Sequence, residues 1–311
     1  MRPEEICVVV VHDDYYADMA AVTVEKNIRH YCTLHGYSLH VDKRIIEGRY
    51  PAWNKIAVCL ELLPKYKWLF FVDLDCLFMN QTIRLEDLID DRYSFMVPSH
   101  FLPAIDSPIY IDWKTDNIIS SQFFVQNTEM GMRILQDVWE AKDAGEMVNK
   151  FDYEGRQVKH TITKPEFAPH VKIMEERQLN TFWWTATPFT AMRNRGINDN
   201  CWKPGDFIVH VTGYKKEWRI EILEQLNHFS GGLIAGYTRE TDKILFTPLE
   251  DLKNIKIQLI SLQTSTITNY SFPHLDWNMK YILYAEGMND KPLIAKAFDG
   301  VKLISTKYIP C

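Results

Sequence analysis

Residues 68–80 read WLFFVDLDCLFMN, and this stretch decides the fold of the chain. Its first five residues are apolar, which is typical of a parallel β-strand that is covered on both faces. Asp73 and Asp75 follow at once, and two side chains at positions i and i+2 of an extended chain point to the same side. The carboxyl end of such a strand opens into the crevice where α/β sheets bind ligands. The stretch therefore predicts an α/β sheet with a ligand site at these two acids.

Asp73 and Asp75 offer the oxygen ligands that a hard divalent cation prefers. The alternative is a pair of surface acids that cap a turn. Acids in so apolar a stretch are costly to bury without a partner, so we interpret them as metal ligands. The cation would leave positions open for phosphate oxygens and would make a diphosphate a better leaving group.

A second motif lies at residues 203–219, KPGDFIVHVTGYKKEWR. His210 stands where an apolar strand meets a glycine turn, and a neutral imidazole there would complete the metal shell. Lys215, Lys216 and Arg219 follow the turn and are candidates for phosphate contacts. The alternatives are a hydrogen-bonded core histidine and a solvated helix face that carries the basic residues.

The remaining patterns predict alternating strands and helices, followed by a region of short strands. Residues 6–11, a helix over 18–35 and residues 37–41 form a βαβ opening, which indicates a parallel sheet with a right-handed crossover. We expect one α/β domain over residues 1–235 and a β-rich appendage of unknown role over residues 236–311. The other predicted strands are 68–72, 93–97, 123–125, 207–211, 243–246, 255–262, 281–284 and 301–304, and the other helices are 51–63, 85–89 and 130–142.

Composition excludes several classes of protein. The 311 residues include 35 Lys and Arg against 41 Asp and Glu, a net charge of −6 that argues against nucleic acid as a partner. No apolar run reaches the roughly 18 residues of a transmembrane segment, and the start MRPEE does not read as a signal peptide. We therefore expect a soluble, cytoplasmic protein. Its six cysteines are widely spaced without a CxxC pair, which predicts reduced thiols and no structural zinc site.

The order of these motifs resembles that of the GT-A-fold glycosyltransferases. Within that group the chain is most similar to the family of fungal α-mannosyl- and α-galactosyltransferases and plant xyloglucan α-xylosyltransferases. The resemblance covers about residues 20–225 and is strongest over residues 53–80, WNKIAVCLELLPKYKWLFFVDLDCLFMN. It implies a Rossmann-like mixed, mostly parallel sheet flanked by helices.

The resemblance also implies an activity and a set of site residues. The activity is a metal-dependent transfer of a hexosyl or pentosyl unit from a nucleotide sugar to a glycan hydroxyl, with retention. The donor would be a UDP-sugar in preference to a GDP-sugar, and the ion would be Mn²⁺ or Mg²⁺. By motif position, the metal ligands are Asp73, Asp75 and His210; the donor contacts are His12, Asp13, Tyr15, Lys55, Asp73, Ser121 and Lys215; and the residues facing the donor sugar and acceptor are Asp152, Glu154 and Gln157.

The chain departs from the family pattern at two places, and these departures leave alternatives open. Ile119, Ser120 and Ser121 stand where the family has Asn-Ser-Gly, and Gln126 precedes Asn127 where the family has Arg-Asn. An inverting enzyme would need a carboxylate base.

The candidates for such a base are Asp152 or Glu154, with Asp116 a weaker choice. A sugar-nucleotide pyrophosphorylase would carry a glycine-rich loop where this chain has HDDYY. A non-catalytic sugar-binding module would use aromatic residues such as Trp183 and Trp184. The absence of the family's N-terminal anchor fits a viral or microbial enzyme, and no feature indicates an oligomeric state.

Overall fold

The computed structural model describes most of the chain in two compact units. The first unit comprises Met1–Ala20, Gly36–Leu74 and Leu85–Cys201, and the second comprises Ala21–His35, Asp75–Arg84 and Trp202–Cys311. Asp116, Asp152, Trp184 and Cys311 lie outside the described residues. These are 1–46, 48–99, 118–140, 153–183, 201–227, 230, 234–240, 243–248, 252–261, 267–275, 281–284, 293–299 and 302–309.

A six-stranded mixed sheet forms the centre of the first unit. With strands numbered along the whole chain, it contains β1 (Ile6–Val11), β2 (Ser38–Asp42), β3 (Trp68–Val72), β5 (Phe95–Pro98), β6 (Gln122–Gln126) and β7 (Val171–Met174). The strand order is β2-β1-β3-β6-β5-β7. β1 runs parallel to β2 and β3, and β5 runs parallel to β7, whereas β6 is antiparallel to both of its neighbours.

Helices cover this sheet and create its core. On one face, alternate strand residues such as Val9, Phe71 and Phe123 share one cluster with Trp53, Ile134 and other helix residues. The opposite face is also buried, as Val8, Phe70 and Phe124 show. The helices are α1 (Ala17–Thr23), which continues into the second unit, α3 (Asn54–Leu62), α4 (Leu85–Leu88), α5 (Glu129–Glu140), α6 (Tyr153–Ile162) and α7 (Glu176–Leu179); a short strand β8 (Thr181–Phe182) follows.

The second unit combines helices with antiparallel strands. A π-helical segment (Val24–Ile28) leads into α2 (Arg29–His35), β4 (Cys76–Phe78) pairs antiparallel with β9 (Ile208–His210), and α8 spans Lys216–Asn227. Two antiparallel sheets follow, in the orders β10-β11-β14 and β13-β12-β15-β16. Their strands are β10 (Ile234–Glu240), β11 (Lys243–Pro248), β12 (Leu252–Ser261), β13 (Ile267–Leu275), β14 (Tyr281–Tyr284), β15 (Leu293–Asp299) and β16 (Lys302–Ile309).

The predicted fold class is confirmed, both for the α/β sheet and for the β-rich C-terminal region. The sequence patterns did not predict α6 or β7 in the polar segment after residue 143, nor β10, β13 and β15. The boundary at residue 235 stays a prediction. Cys7, Cys32, Cys59, Cys76 and Cys201 are thiols rather than disulfides, as expected. No helix among the described residues combines the length and apolar character needed to cross a membrane.

Candidate functional site

The first unit gathers candidate residues at one edge of its sheet. β1 and β3 are parallel neighbours, with Val9 opposite Phe71, so their carboxyl ends meet at the same edge. His12 follows β1 there, and Asp73 follows β3. The backbone N–H of Asp73 donates to the carbonyl of Ser121 at 2.7 Å, just before β6 begins. The sequence predicted a ligand crevice at such an edge, and that crevice stays a prediction.

Lys55 on α3 joins two carboxylates at this edge. Its Nζ lies 3.3 Å from Oδ1 of Asp73 and 3.1 Å from Oε1 of Glu154, and it donates to the carbonyl of Ser120 at 3.3 Å. The hydroxyl of Ser120 donates to the same Oε1 of Glu154 at 3.3 Å. Lys55 and Glu154 are 5% and 6% exposed, whereas the side chain of Asp73 is 31% exposed. We call these four residues the lysine cluster.

The lysine cluster keeps its buried charges ionised. Burial alone lowers the pKa of Lys55, but Asp73 and Glu154 more than offset it and raise that pKa above its usual value. Burial likewise raises the pKa of Glu154, yet the Lys55 ammonium outweighs burial and the pKa is lowered. Each charge is therefore stabilised by its partners, and removing one partner leaves the others uncompensated.

The loop after β1 presents one exposed aromatic ring. His12 is buried, its N–H donates to the Asp42 carbonyl at 3.0 Å, and its Nδ1 lies 2.9 Å from the Asp13 carbonyl. Asp13 caps a 3₁₀ turn by accepting from the Tyr16 N–H at 3.3 Å. Tyr15 is 62% exposed and makes an edge contact with the Tyr16 ring. The structure thus gives His12 and Asp13 roles in the loop and leaves the Tyr15 ring largely in solvent.

In the second unit, a histidine, a carboxylate and a guanidinium meet where β4 pairs with β9. Nε2 of His210 lies 3.2 Å from Oδ1 of Asp75, and Arg219 donates from Nη1 to Oδ2 of Asp75 at 2.9 Å. Arg219 also donates from Nη2 to the Tyr214 carbonyl at 2.9 Å. Burial raises the pKa of Asp75, but His210 and Arg219 outweigh it, so that pKa is lowered. We call Asp75, Cys76, His210 and Arg219 the histidine cluster.

The turn after β9 brings Arg219 back to Asp75. Gly213 has a φ of +83°, a left-handed conformation that residues with a side chain adopt only with strain. α8 begins three residues later, and its first turn carries Arg219. Lys215 is exposed, and its carbonyl accepts the Arg219 N–H at 2.9 Å.

The histidine cluster fits a divalent cation. One ligand atom each from Asp75, Cys76 and His210 lies within 4.8 Å of the other two. Two ligands that share one cation at about 2.1 Å, at right angles, are about 3 Å apart, close to the separation of Oδ1 and Nε2 here. Arg219 holds Oδ2 of Asp75, so Oδ1 is the oxygen that faces His210.

Other predicted site residues are placed as follows. Ser121 is buried, and its hydroxyl donates to Oε1 of Gln122 at 2.9 Å. Gln157 on α6 contacts the hydroxyl of Thr161 at 3.4 Å. The role of Asp73 as a metal ligand stays a prediction, as do the donor contacts. Cys76 was not predicted, because only the strand register, with Cys76 opposite His210, reveals it.

A family comparison bears on the first part of the chain. Residues 3–97 match the sequence model of the galactosyl transferase GMA12/MNN10 family. This range includes Lys55, Asp73 and Asp75 and ends before Glu154 and His210. None of the curated proteins compared with the chain is significantly similar to it.

Solved glycosyltransferases are distant structural neighbours. A glycosyltransferase involved in glycosylation of the major capsid of PBCV-1 shares 18% identity, with 71% of this chain and 98% of its own covered and a TM-score of 0.49. The galactosyltransferase LgtC, in complex with donor and acceptor sugar analogs, shares 12% identity, with 71% of this chain and 95% of its own covered and a TM-score of 0.49. The glycosyltransferase GlyE of Streptococcus pneumoniae TIGR4 shares 13% identity, with 71% of this chain and 59% of its own covered and a TM-score of 0.46. Likenesses at this level assign no residue roles to this chain.

The family match and the motifs point to the same class of protein. The matched range holds the strand and the acid pair on which the sequence resemblance mainly rests. The resemblance is thereby confirmed over residues 3–97, and this match supports a sugar-transferring enzyme.

Proposed function

We propose that the enzyme transfers a hexosyl or pentosyl unit from a nucleotide sugar to a glycan hydroxyl with the help of Mn²⁺ or Mg²⁺. The donor in this proposal is a UDP-sugar in preference to a GDP-sugar, as the family resemblance implies. The single observation that carries the proposal is the contact between Asp75 and His210, a carboxylate oxygen and an imidazole nitrogen 3.2 Å apart, which are two donor types that divalent cations use.

The ion would be held by Asp75 and His210, and Asp73 is a further predicted ligand. A bound divalent ion neutralises the charge that develops on a departing diphosphate. The residues of this chain supply the ligand atoms and fix their direction, since Arg219 holds the second oxygen of Asp75. Lys215, which is exposed after the glycine turn, remains the candidate for a direct phosphate contact.

Contacts with the donor sugar and base are proposed for the sheet edge of the first unit. The exposed ring of Tyr15 supports its predicted role as a stacking platform for the base. Asp73 and Glu154 are hydrogen-bond acceptors held in place by Lys55, and acceptors fixed in this way suit the hydroxyls of a sugar. These roles agree with the motif positions on which the prediction was based.

Retention is the stereochemical outcome that the lysine cluster favours. An inverting enzyme needs a carboxylate base, and a base works best when its pKa lies near the working pH. Glu154 is a poor candidate because Lys55 lowers its pKa. In a retaining transfer the leaving phosphate oxygen accepts the acceptor's proton while an oxocarbenium-like transition state forms, so no protein base is needed.

The test is a donor-release assay with the full chain. Nucleotide release is measured with Mn²⁺ over a panel of UDP- and GDP-sugars, for the wild type and for Asp75→Asn and His210→Ala. We expect release from one UDP-sugar and a loss of at least about a hundredfold in both variants, the scale of removing one preorganised electrostatic group. Asp87→Asn, a change in an exposed acid on α4, is the matched control and should match the wild type.

Two results would contradict the proposal. One is the absence of release from any donor together with no shift in thermal stability when Mn²⁺ and UDP are added, which would favour the sugar-binding module. The other concerns stereochemistry, where NMR of the product decides. A β-linked product from an α-linked donor would show inversion and direct attention to a carboxylate base.

A further inference from the structure

Cys76 lies directly beside the predicted metal ligands, and neither the family match nor the motifs assign it a role. It is the cross-strand partner of His210 in the antiparallel pairing of β4 and β9. Side chains at such paired positions point to the same face of the strands, with their Cβ atoms about 5 Å apart. The Cys76 sulfur accordingly lies within 4.8 Å of the ligand atoms of both Asp75 and His210.

We propose that Asp75, Cys76 and His210 form an oxygen, sulfur and nitrogen donor set that binds a thiophilic divalent cation such as Zn²⁺, Co²⁺ or Cd²⁺. This proposal deepens the proposed function and rests on it, because it places the ion at the same carboxylate and imidazole. Cys76 is then the residue that decides which cation the site prefers.

The chemistry of the three donors supports this preference. Thiolate ligands select softer ions, whereas sites made of carboxylate and water suit Mg²⁺ and Mn²⁺. When the ion binds, a metal–sulfur bond replaces the S–H bond of Cys76, and the thiol proton passes to the solvent. In tetrahedral geometry, sulfur at about 2.3 Å and nitrogen at about 2.05 Å from zinc are about 3.5 Å apart. Side-chain rotation or a small shift of the two short strands would bring the ligand atoms from within 4.8 Å to that separation.

Each donor is anchored by a different part of the fold. Asp75 is tied at Oδ2 by Arg219, and its carbonyl accepts the Val211 N–H at 2.9 Å. His210 and Cys76 are fixed by the strand ladder, and both are buried. Burial keeps competing water away from the sulfur, and the anchoring keeps the three donors converging on one place.

The experiment uses the full chain after removal of metal with a chelator, with Co²⁺ as the probe. Cobalt bound to a thiolate gives a strong sulfur-to-metal charge-transfer band in the near ultraviolet. We expect this band in the wild type, its loss in Cys76→Ser, and its persistence in Cys201→Ser, the matched control at a partly exposed cysteine. Competition with Zn²⁺ should show that Cys76→Ser weakens Zn²⁺ binding at least about tenfold, the lower end of what losing even an outer partner costs a metal site. Mn²⁺ binding, followed by EPR, should change less than about threefold, because manganese prefers oxygen ligands.

Cadmium NMR of the wild-type protein repeats the test without any substitution, because a sulfur ligand moves the cadmium signal strongly downfield. This keeps the proposal falsifiable if Cys76→Ser does not fold. A Co²⁺ spectrum without the charge-transfer band, or a cadmium signal typical of oxygen and nitrogen ligands, would overturn the role of Cys76 while leaving the Mn²⁺ site standing. Absence of binding by Co²⁺, Zn²⁺ and Mn²⁺ alike would overturn this proposal together with the metal part of the proposed function.

Discussion

Lys55 shows how one buried residue can hold two carboxylates and a carbonyl together. An ammonium group has three N–H donors, and the Nζ of Lys55 has three oxygen neighbours, on Asp73, Glu154 and Ser120. Its charge also lies 5.0 Å from the centre of the Phe71 ring. With each donor engaged, we expect Lys55 to act on a nucleotide sugar through the two carboxylates that it orients.

Substitution of Lys55 tests this view through stability. Lys55→Met leaves Glu154 buried without the ammonium group that faces it, and breaking a buried pair from one side costs about 3–5 kcal/mol. The double variant Lys55→Met/Glu154→Gln removes the uncompensated charge and should recover part of that loss. Urea denaturation of the wild type and of the three variants, including Glu154→Gln alone, gives the coupling energy. A loss in the double variant equal to the sum of the two single losses would show that the pair is not coupled.

Arg219 shows where residue type alone is an incomplete guide. The sequence offered it as a phosphate contact, because it follows a glycine turn with two lysines. In the structure its guanidinium group donates hydrogen bonds to the Asp75 carboxylate and to the Tyr214 carbonyl. The predicted pair of Asp75 and His210 could be chosen from chemistry and position, whereas the contacts of Arg219 depend on the return of α8.

At the scale of elements, Asn27 fixes the strand that carries Cys76. Asn27 is fully buried in the π-helical segment, where it donates from Nδ2 to the Phe78 carbonyl at 3.1 Å and accepts the Phe78 N–H at 2.7 Å. Nδ2 also lies 3.0 Å from Oδ1 of Asn227 on α8. One side chain thus takes the place of a strand partner for the end of β4.

Asn27→Leu should therefore destabilise the chain. It leaves the Phe78 N–H and carbonyl buried without these partners, and each unsatisfied group costs about 1–3 kcal/mol. We expect a loss of at least about 2 kcal/mol in the free energy of unfolding, measured by urea denaturation. Lys26→Ala, a change in an exposed neighbour on the same segment, is the control. A loss no larger than that of the control would mean that β4 does not depend on Asn27.

The helix that contains Asn27 was predicted, but its irregularity was not. The apolar spacing over residues 18–35 indicates one continuous helix, and the structure has α1, the π-helical segment and α2 over nearly the same range. A π-bulge shifts the helix face by one residue, and here it accompanies contacts with a strand 51 residues away. Such a contact leaves no mark on local periodicity.

β2 ends in a carboxylate whose protonation should govern stability in acid. Burial raises the pKa of Asp42, but hydrogen bonds from Arg44, with a smaller contribution from His40, outweigh burial and hold that pKa at about 2, against an ordinary value of 3.8. Because the folded-state pKa is the lower one, the stabilisation is complete above about pH 4 and is lost as the pH falls towards 2.

Asp42→Asn should reduce the dependence of the free energy of unfolding on pH in the acid range. Between pH 5 and 2 the wild type should lose up to about 2 kcal/mol more than the variant, since one pKa unit corresponds to about 1.4 kcal/mol. Urea denaturation at several pH values measures the difference, with Asp87→Asn as an exposed-acid control. Parallel curves for Asp42→Asn and the wild type would contradict the assignment.

At the scale of the whole molecule, local patterns predicted the apolar strands and missed those whose burial depends on distant partners. β3 was predicted with its exact bounds because all five of its residues are apolar and buried. β15 was missed because its buried positions on one face include Ala295 and Ala297, and alanine is a weak strand former. β13 is an edge strand whose alternate residues are exposed, so its polar pattern resembled a loop.

Contacts within the second unit tie the C-terminal strands to a helix from the start of the chain. The helix α2, near the start of the chain, contacts β16 at the end, and β10 also contacts β16. Residues 21–35 therefore share one compact unit with the C-terminal sheets. Ending the chain after residue 235 removes β11 to β16, cuts β10 short and uncovers apolar surface on α2, which costs about 25 cal/mol for each Å² exposed.

We expect the 1–235 fragment to have a lower Tm than the full chain or to aggregate. Separate expression of residues 236–311 should give a circular dichroism spectrum with weak strand content, because the sheets lose the helix that packs on β16. The predicted division into an α/β domain and an appendage gives the opposite result. In that case the 1–235 fragment keeps the Tm of the full chain, the 236–311 fragment folds alone, and the α2 contact contributes nothing measurable.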